Sequence, residues 1–176
     1  MIGIFKPTWM VKSIYHVSPA QLQRAGIKAV LSDLDNTLIA WNNPDGTPQL
    51  REWMRELSAA GITLMVVSNN NHRRVQTAVA PLGLPFVSRA LKPLGSGITR
   101  ARRQLGLSEQ EVVMVGDQYL TDIVAAHQAG VRSILVQPLI DSDKWNTQIN
   151  RFLERFVKHA LKRRYPEMTW QEGLDD

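Results

Sequence analysis

The sequence predicts an α/β fold: a three-layer, Rossmann-like arrangement around a mainly parallel central sheet. Short apolar runs at Ala29–Leu31, Ile62–Val67 and Val112–Val115 alternate with segments of helical spacing, the pattern of repeated strand–helix units. The runs are continuously apolar rather than alternating, as strands buried on both faces are. Polar residues stand directly after them, at Ser32-Asp33, Ser68-Asn69 and Gly116-Asp117, where open parallel sheets bind ligands.

The elements follow in order. Met1–Val17 has three aromatic residues, Phe5, Trp9 and Tyr15, and no acidic one. Ser18-Pro19-Ala20-Gln21 reads as a helix start, with a capping hydroxyl, proline at the first helical position and glutamine three residues after the cap; Gly26 closes that helix. A strand follows at Ala29–Leu31. Thr47-Pro48 opens a second helix, whose Leu50, Trp53, Met54 and Leu57 share one face and which Gly61 ends. After the strand at Ile62–Val67, residues Asn70–Leu82 carry Val75, Ala78, Val79 and Leu82 on one helical face, with Pro81 disturbing the last turn. Phe86-Val87 is a short strand. Ile98, Ala101 and Leu105 mark a helix stopped by Gly106, Val112–Val115 a strand, Asp122–Ala129 a helix ended by Gly130, and Ser133–Val136 a last strand. One domain is expected, with a core over about residues 28–137, an N-terminal extension over 1–26 and a basic amphipathic helix over about 145–165.

Composition narrows the function classes. A chain of 176 residues, 44% of them hydrophobic, buries an ordinary core and does not read as disordered. Without cysteine, disulfides and thiolate metal sites are excluded, and a cytoplasmic setting is expected. No apolar run approaches the roughly 18 residues of a membrane span, and the first residues do not read as a signal peptide. The net charge of +5 is local: Arg151, Arg155, Lys158, Lys162, Arg163 and Arg164 against Glu154 account for all of it.

The strand ends gather Asp33-Leu34-Asp35-Asn36-Thr37, Ser68-Asn69, Gly116-Asp117 and, five residues on, Asp122, with Lys92 before Pro93 at another helix start. Close carboxylates repel unless a cation joins them, and hard oxygen ligands suit magnesium. A hydroxyl and an ammonium beside that metal suit a phosphate dianion. Alone, each aspartate reads as a turn cap, Ser68 as a turn residue and Lys92 as a surface charge; the ordered set carries the chemistry.

Those residues resemble the four motifs of the haloacid dehalogenase-like superfamily: Asp33-x-Asp35-x-Thr37, Ser68, Lys92-Pro93, and Gly116-Asp117 with Asp122. The resemblance implies a phosphatase in which Asp33 is the nucleophile and Asp35 the acid and base. It implies that Ser68, Asn69 and Lys92 hold the phosphoryl oxygens. Magnesium would sit on Asp33, Asp117 and the backbone carbonyl of Asp35, supported by Asp122 and Gln118. Gln118 departs from the second aspartate common in relatives. Leu38–Thr47 and Asn69–Leu91 are both too short for a cap domain, so an open site is expected.

Asp33–Leu38 followed by Trp41, Gly116-Asp117-Gln118 with Thr121-Asp122, and Pro7-x-Trp9 through Ser18 look like the bacterial YqeG-type group, itself similar to mitochondrial phosphatidylglycerophosphate phosphatases. The implied substrate is phosphatidylglycerophosphate, an anionic phospholipid, with a soluble phosphorylated metabolite or nucleotide as the alternative. Phe152, Leu153, Phe156, Val157, Ala160 and Leu161 form a stripe that either packs on the core or rests on an anionic membrane as a peripheral contact. Trp9 and Trp41 read as packing residues. Two other classes remain: a phosphorylation switch, disfavoured because Lys92 precedes Asp117, and a nucleic-acid-binding module resting on tail charge alone. The oligomeric state is not legible.

Overall fold

A computed structural model of the chain describes residues 2–40, 43, 45–140 and 148–175, except the side chains of 148–151. Trp41 and the expected helix start at 145–147 lie outside the described residues. Six parallel strands form one sheet: β1 (Trp9–Val11), β2 (Ala29–Ser32), β3 (Thr63–Val67), β4 (Phe86–Val87), β5 (Val112–Gly116) and β6 (Arg132–Val136). Their order is β1-β6-β5-β2-β3-β4. From β2 the chain builds outward through β3 and β4, then returns to the other side of β2 for β5 and β6. The order therefore reverses between β2 and β5, the place where doubly wound sheets open a crevice.

Local chemistry sets the helix starts. In α1 (Pro19–Arg24) the Ser18 hydroxyl accepts the Gln21 N–H at 3.2 Å, and in α2 (Pro48–Ala59) the Thr47 hydroxyl accepts the Leu50 N–H at 3.2 Å. Asn71 caps α3 (His72–Val79) through the Arg74 N–H at 2.9 Å, and Pro81 converts the following turn to a 3₁₀ helix. α4 (Ser96–Gln104) and α5 (Val124–Gln128) cover the other face.

Alternation along the strands divides the core. Val30, Val66, Val113, Val115 and Ile134 face Leu22 of α1, Leu50, Trp53 and Leu57 of α2, and Val75 of α3. Ala29, Leu31, Met65, Val67, Val112 and Met114 face Ile98 and Ala101 of α4 and Ala125 and Ala126 of α5. Trp53 is buried with its indole N–H donated to the Val17 carbonyl at 2.8 Å, which ties α2 to the N-terminal segment.

Three features go beyond the sequence reading. The N-terminal extension supplies edge strand β1, in register with β6 through Trp9 and Ile134. Trp9 packs partly buried against the core, with the Arg132 guanidinium 5.6 Å from its ring centre. The helix expected from Asp122 starts earlier, as a π turn over Tyr119–Ile123 that runs into α5.

The third feature is α6 (Gln148–Arg164), whose apolar stripe divides. Val157 and Leu161 pack with Met10, Tyr119, Ile123 and Leu135, whereas Phe152, Leu153 and Phe156 are exposed. The segment after α6 returns along β1, where the Gln171 N–H meets the Met10 carbonyl at 2.8 Å. Among the described residues no helix is long and apolar enough to cross a membrane. Leu38–Thr47 holds no helix among its described residues, and Asn69–Leu91 holds only α3, its 3₁₀ turn and β4.

Candidate active site

Adjacent parallel strands deliver the carboxylates to one rim. β2 and β5 pair in register, Ser32 opposite Val115, so Asp33 and Asp117 emerge side by side at their carboxyl ends. The Asp33 N–H is held by the Val115 carbonyl at 2.9 Å. Asp122 is returned by the π turn after β5 and is 1% exposed. That close return requires Gly116: a Cβ there would lie 2.2 Å from the Asp122 carboxylate. Carboxylate oxygens of Asp33, Asp117 and Asp122 lie within 4.8 Å of one another.

Lys92 enters this cluster from the far side of β3. Its ammonium donates to Asp33 at 2.6 Å and to Asp122 at 2.7 Å, with only 3% of the side chain exposed. Asn69 fixes the lysine's backbone, accepting the Lys92 N–H at 2.7 Å and donating to the Lys92 carbonyl at 2.9 Å. The Asn69 side chain, expected on phosphate, holds the Lys92 backbone while still lining the cleft. Ser68 is buried at the end of β3, and its hydroxyl oxygen accepts both the backbone and the side-chain N–H of Asn70 at 3.2 Å. The Thr37 hydroxyl donates to Asp117 at 3.3 Å. The Gln118 N–H donates to Asp122 at 3.2 Å, while its side chain accepts the Thr121 hydroxyl at 3.0 Å. Gln118 therefore braces the loop through its backbone.

The electrostatics ask for a cation. Burial, set against the attraction of Lys92 and reinforced by the Asp122 charge, pushes the Asp33 carboxyl up to about 6. Burial, then the charges of Asp122 and Asp33, drive Asp117 well above the carboxylate range. Lys92 moves the opposite way from a buried lysine: Asp122 and Asp33 overcome its desolvation and raise it. Ionising all three carboxylates against one ammonium would leave two negative charges uncompensated, which is what raises Asp33 and Asp117 and what one divalent ion on oxygen donors would balance. The donor set thus fits magnesium.

Asp35 stands apart from that cluster. Its carboxylate accepts the Asn70 side-chain N–H at 2.8 Å and faces the Arg74 guanidinium at 3.2 Å. The sequence reading missed both partners. Asn70 was legible only as a helix-start residue, and Arg74, on the solvent side of α3, looks like any exposed charge. Asp33, Asp35, Ser68, Asn69, Lys92, Gln118 and Asp122 line one open cleft of about 260 Å³ together with Asn36, Asn70 and Thr121. The cleft thus sets hydroxyl, amide and ammonium groups beside the Asp33 and Asp35 carboxylates.

The comparisons agree with this geometry. Residues 2–130 match the family of haloacid dehalogenase-like hydrolases. A Bacillus subtilis protein described as "Probable phosphatase YqeG" is 42% identical over 168 residues, covering 96% of this chain and 97% of that one. The chloroplastic phosphatidylglycerophosphate phosphatase 1 of Chlamydomonas reinhardtii is 29% identical over 160 residues, 85% of this chain and 60% of that longer protein. The solved structure of a haloacid dehalogenase-like family protein from Streptococcus pneumoniae shares the fold, with a TM-score of 0.53 at 12% identity over 74% of this chain and 91% of that one. The ordered motifs, the parallel sheet and the family match together make the chain a phosphatase of the haloacid dehalogenase-like superfamily.

Proposed function

We propose that this phosphatase is a magnesium-dependent phosphomonoester hydrolase that works through an aspartyl-phosphate on Asp33, and that its substrate is phosphatidylglycerophosphate. The chemistry rests on one observation above all: Lys92 bridges Asp33 and Asp122 inside a carboxylate cluster that still lacks two positive charges. Asp33, Asp117 and the Asp35 backbone would hold magnesium, with Asp122 in support. When bound, the ion supplies charge neutralisation that lets a phosphate dianion approach a carboxylate.

The chain's own groups divide the rest. An Asp33 carboxylate oxygen attacks phosphorus, and the bond from phosphorus to the leaving alcohol oxygen breaks. Asp35 gives that oxygen its proton. Asp35, now a carboxylate, takes a proton from water as the water oxygen attacks phosphorus. The Asp33–phosphorus bond breaks, inorganic phosphate leaves, and both aspartates return to their starting states. Lys92 and the Ser68 hydroxyl face the phosphoryl oxygens throughout. Asn70 and Arg74 hold the Asp35 carboxylate at the cleft.

The lipid reading has three supports. The cleft has no cap among the described residues, so a headgroup at a bilayer surface can reach it. A relative bears phosphatidylglycerophosphate phosphatase as its name. The basic helix α6 carries exposed phenylalanines, which suits peripheral contact with an anionic membrane.

The test is phosphate release from phosphatidylglycerophosphate in mixed micelles with magnesium, native protein against Asp33→Asn. Release by the native chain alone is the expected result. Hydrolysis of a small aryl phosphate without release from the lipid would keep the phosphatase and discard the lipid in favour of a soluble phosphorylated metabolite.

A further inference from the structure

α6 uses only part of its apolar surface for packing. Val157 and Leu161 are buried, whereas Phe152 is 69% exposed, Phe156 63% and Leu153 42%. Exposed phenylalanines one helical turn apart are costly for a surface that meets only water. Arg155, Lys158 and Lys162 form an exposed ridge beside them, and Arg163 lies on the phenylalanine side. The one acid of the helix faces inward: Glu154 accepts the Leu120 N–H at 2.9 Å and the Tyr119 N–H at 3.3 Å. In the segment that follows, Glu167 is paired with Lys6. The outer face of α6 thus combines apolar and positive groups with no outward acid.

A groove runs along the same helix. It measures about 300 Å³, with an apolar floor that includes Met10, Tyr119, Leu161 and Trp170, and the lysines 158 and 162 line its side. An apolar floor beside two ammonium groups matches an amphiphile with an anionic head.

We infer that the outer face of α6 and its adjoining groove form a docking surface for an anionic phospholipid bilayer: Phe152 and Phe156 enter the acyl boundary while Lys158 and Lys162 bind headgroup phosphates. Charge selects this occupant. A second copy meeting this face across a two-fold axis would set basic ridge against basic ridge. A nucleic acid would use the charge but not the aliphatic part of the stripe at Leu153. Docking serves the lipid reading of the substrate and rests on it for its purpose, but binding is measured without turnover.

The experiment is co-sedimentation of the full chain with vesicles of phosphatidylglycerol mixed with phosphatidylcholine, and with vesicles of phosphatidylcholine alone. Phosphatidylglycerol carries no phosphomonoester, so its binding succeeds or fails whether or not phosphatidylglycerophosphate is hydrolysed. The native chain is expected to sediment with the anionic vesicles and stay in solution with the neutral ones. Lys158→Gln with Lys162→Gln should weaken partitioning about thirtyfold, two basic groups' worth. Phe152→Ser with Phe156→Ser should also release the protein from the vesicles. Both variants change exposed residues, and native rates on an aryl phosphate would show that they fold. Failure of the native chain to sediment, equal sedimentation with both vesicle types, or folded variants that bind as the native chain does would each overturn the inference. A dimer lost on Phe152→Ser with Phe156→Ser would overturn it too, by giving the face to a second copy.

Discussion

Replacing Lys92 by methionine isolates the charge balance of the site. Methionine keeps most of the length and apolar bulk, so no large cavity accompanies the loss of charge. The ammonium removed is 2.6 Å from Asp33 and 2.7 Å from Asp122, whose side chains are 15% and 1% exposed. Three carboxylates would then sit within 4.8 Å of one another with no internal cation. Removing one partner of a buried ion pair costs about 3–5 kcal/mol, because the remaining charges stay desolvated. Urea unfolding in EDTA at neutral pH is the assay. With a slope of about 2 kcal/mol per molar urea, the midpoint should fall by about 2 M. The deficit should shrink in acid, where the carboxylates protonate, and when magnesium is added. A midpoint within about 0.5 M of the native protein in EDTA would refute the reasoning, since Lys92 would then not be what balances the cluster.

Other consequences follow from the same geometry. The Asp33 carboxyl is raised in the folded state from 3.8 to about 6, so between those values the folded chain binds more protons than the unfolded one. Its contribution to metal-free stability should therefore be fully present below the lower value and fall away, by up to about 3 kcal/mol, as pH rises through the upper. Asp33→Asn should remove that part of the slope in chemical unfolding across pH and leave the part that the raised Asp117 carboxyl adds. Asp35→Asn should lower kcat by about 10²–10⁴ while calorimetric magnesium affinity is retained, because the side chain faces Asn70 and Arg74 rather than the carboxylate cluster. Weakened magnesium binding in that variant would place the side chain on the metal. Gly116→Ala puts a methyl group against the Asp122 carboxylate and should destabilise the chain by about 1–3 kcal/mol, with a matching loss of magnesium affinity. Unchanged metal titration would show that Asp122 does not support the ion.

Much of the fold was legible because parallel strands buried on both faces leave continuous apolar runs, and their helices carry ordinary caps. Thr47 and Ser18 are readable as caps from type and spacing, and both make the expected bonds. β1 was not legible: three residues at a sheet edge carry no periodicity, and their pairing depends on the exposed edge of β6, more than a hundred residues away. Asp33, Lys92, Asp117 and Asp122 could be gathered on paper because strand ends in a parallel sheet share one rim. The Asp35–Arg74 pair could not, since it depends on how α3 is rotated on the sheet. Asn69 shows the same limit: its type suggests phosphate contact, but only the path of the 69–92 segment reveals that its side chain holds the Lys92 backbone.

α6 marks where periodicity stops informing. A helical stripe in the sequence tells which residues share a face, not how much of that face a neighbour covers. Here the buried part of the stripe is Val157 and Leu161, and Glu154 lies on the same side of the helix. By accepting the N–H groups of Tyr119 and Leu120, it pins α6 to the turn that begins two residues after Asp117, and its carboxyl is raised first by burial. Together with the packing of Val157 and Leu161, that anchor leaves Phe152 and Phe156 facing outward. It also couples the basic helix to the loop that carries two of the clustered carboxylates. A surface engaged by Phe152 and Phe156 would therefore sit in fixed relation to the loop that carries Asp117 and Asp122, and breaking the Glu154 anchor should loosen both together.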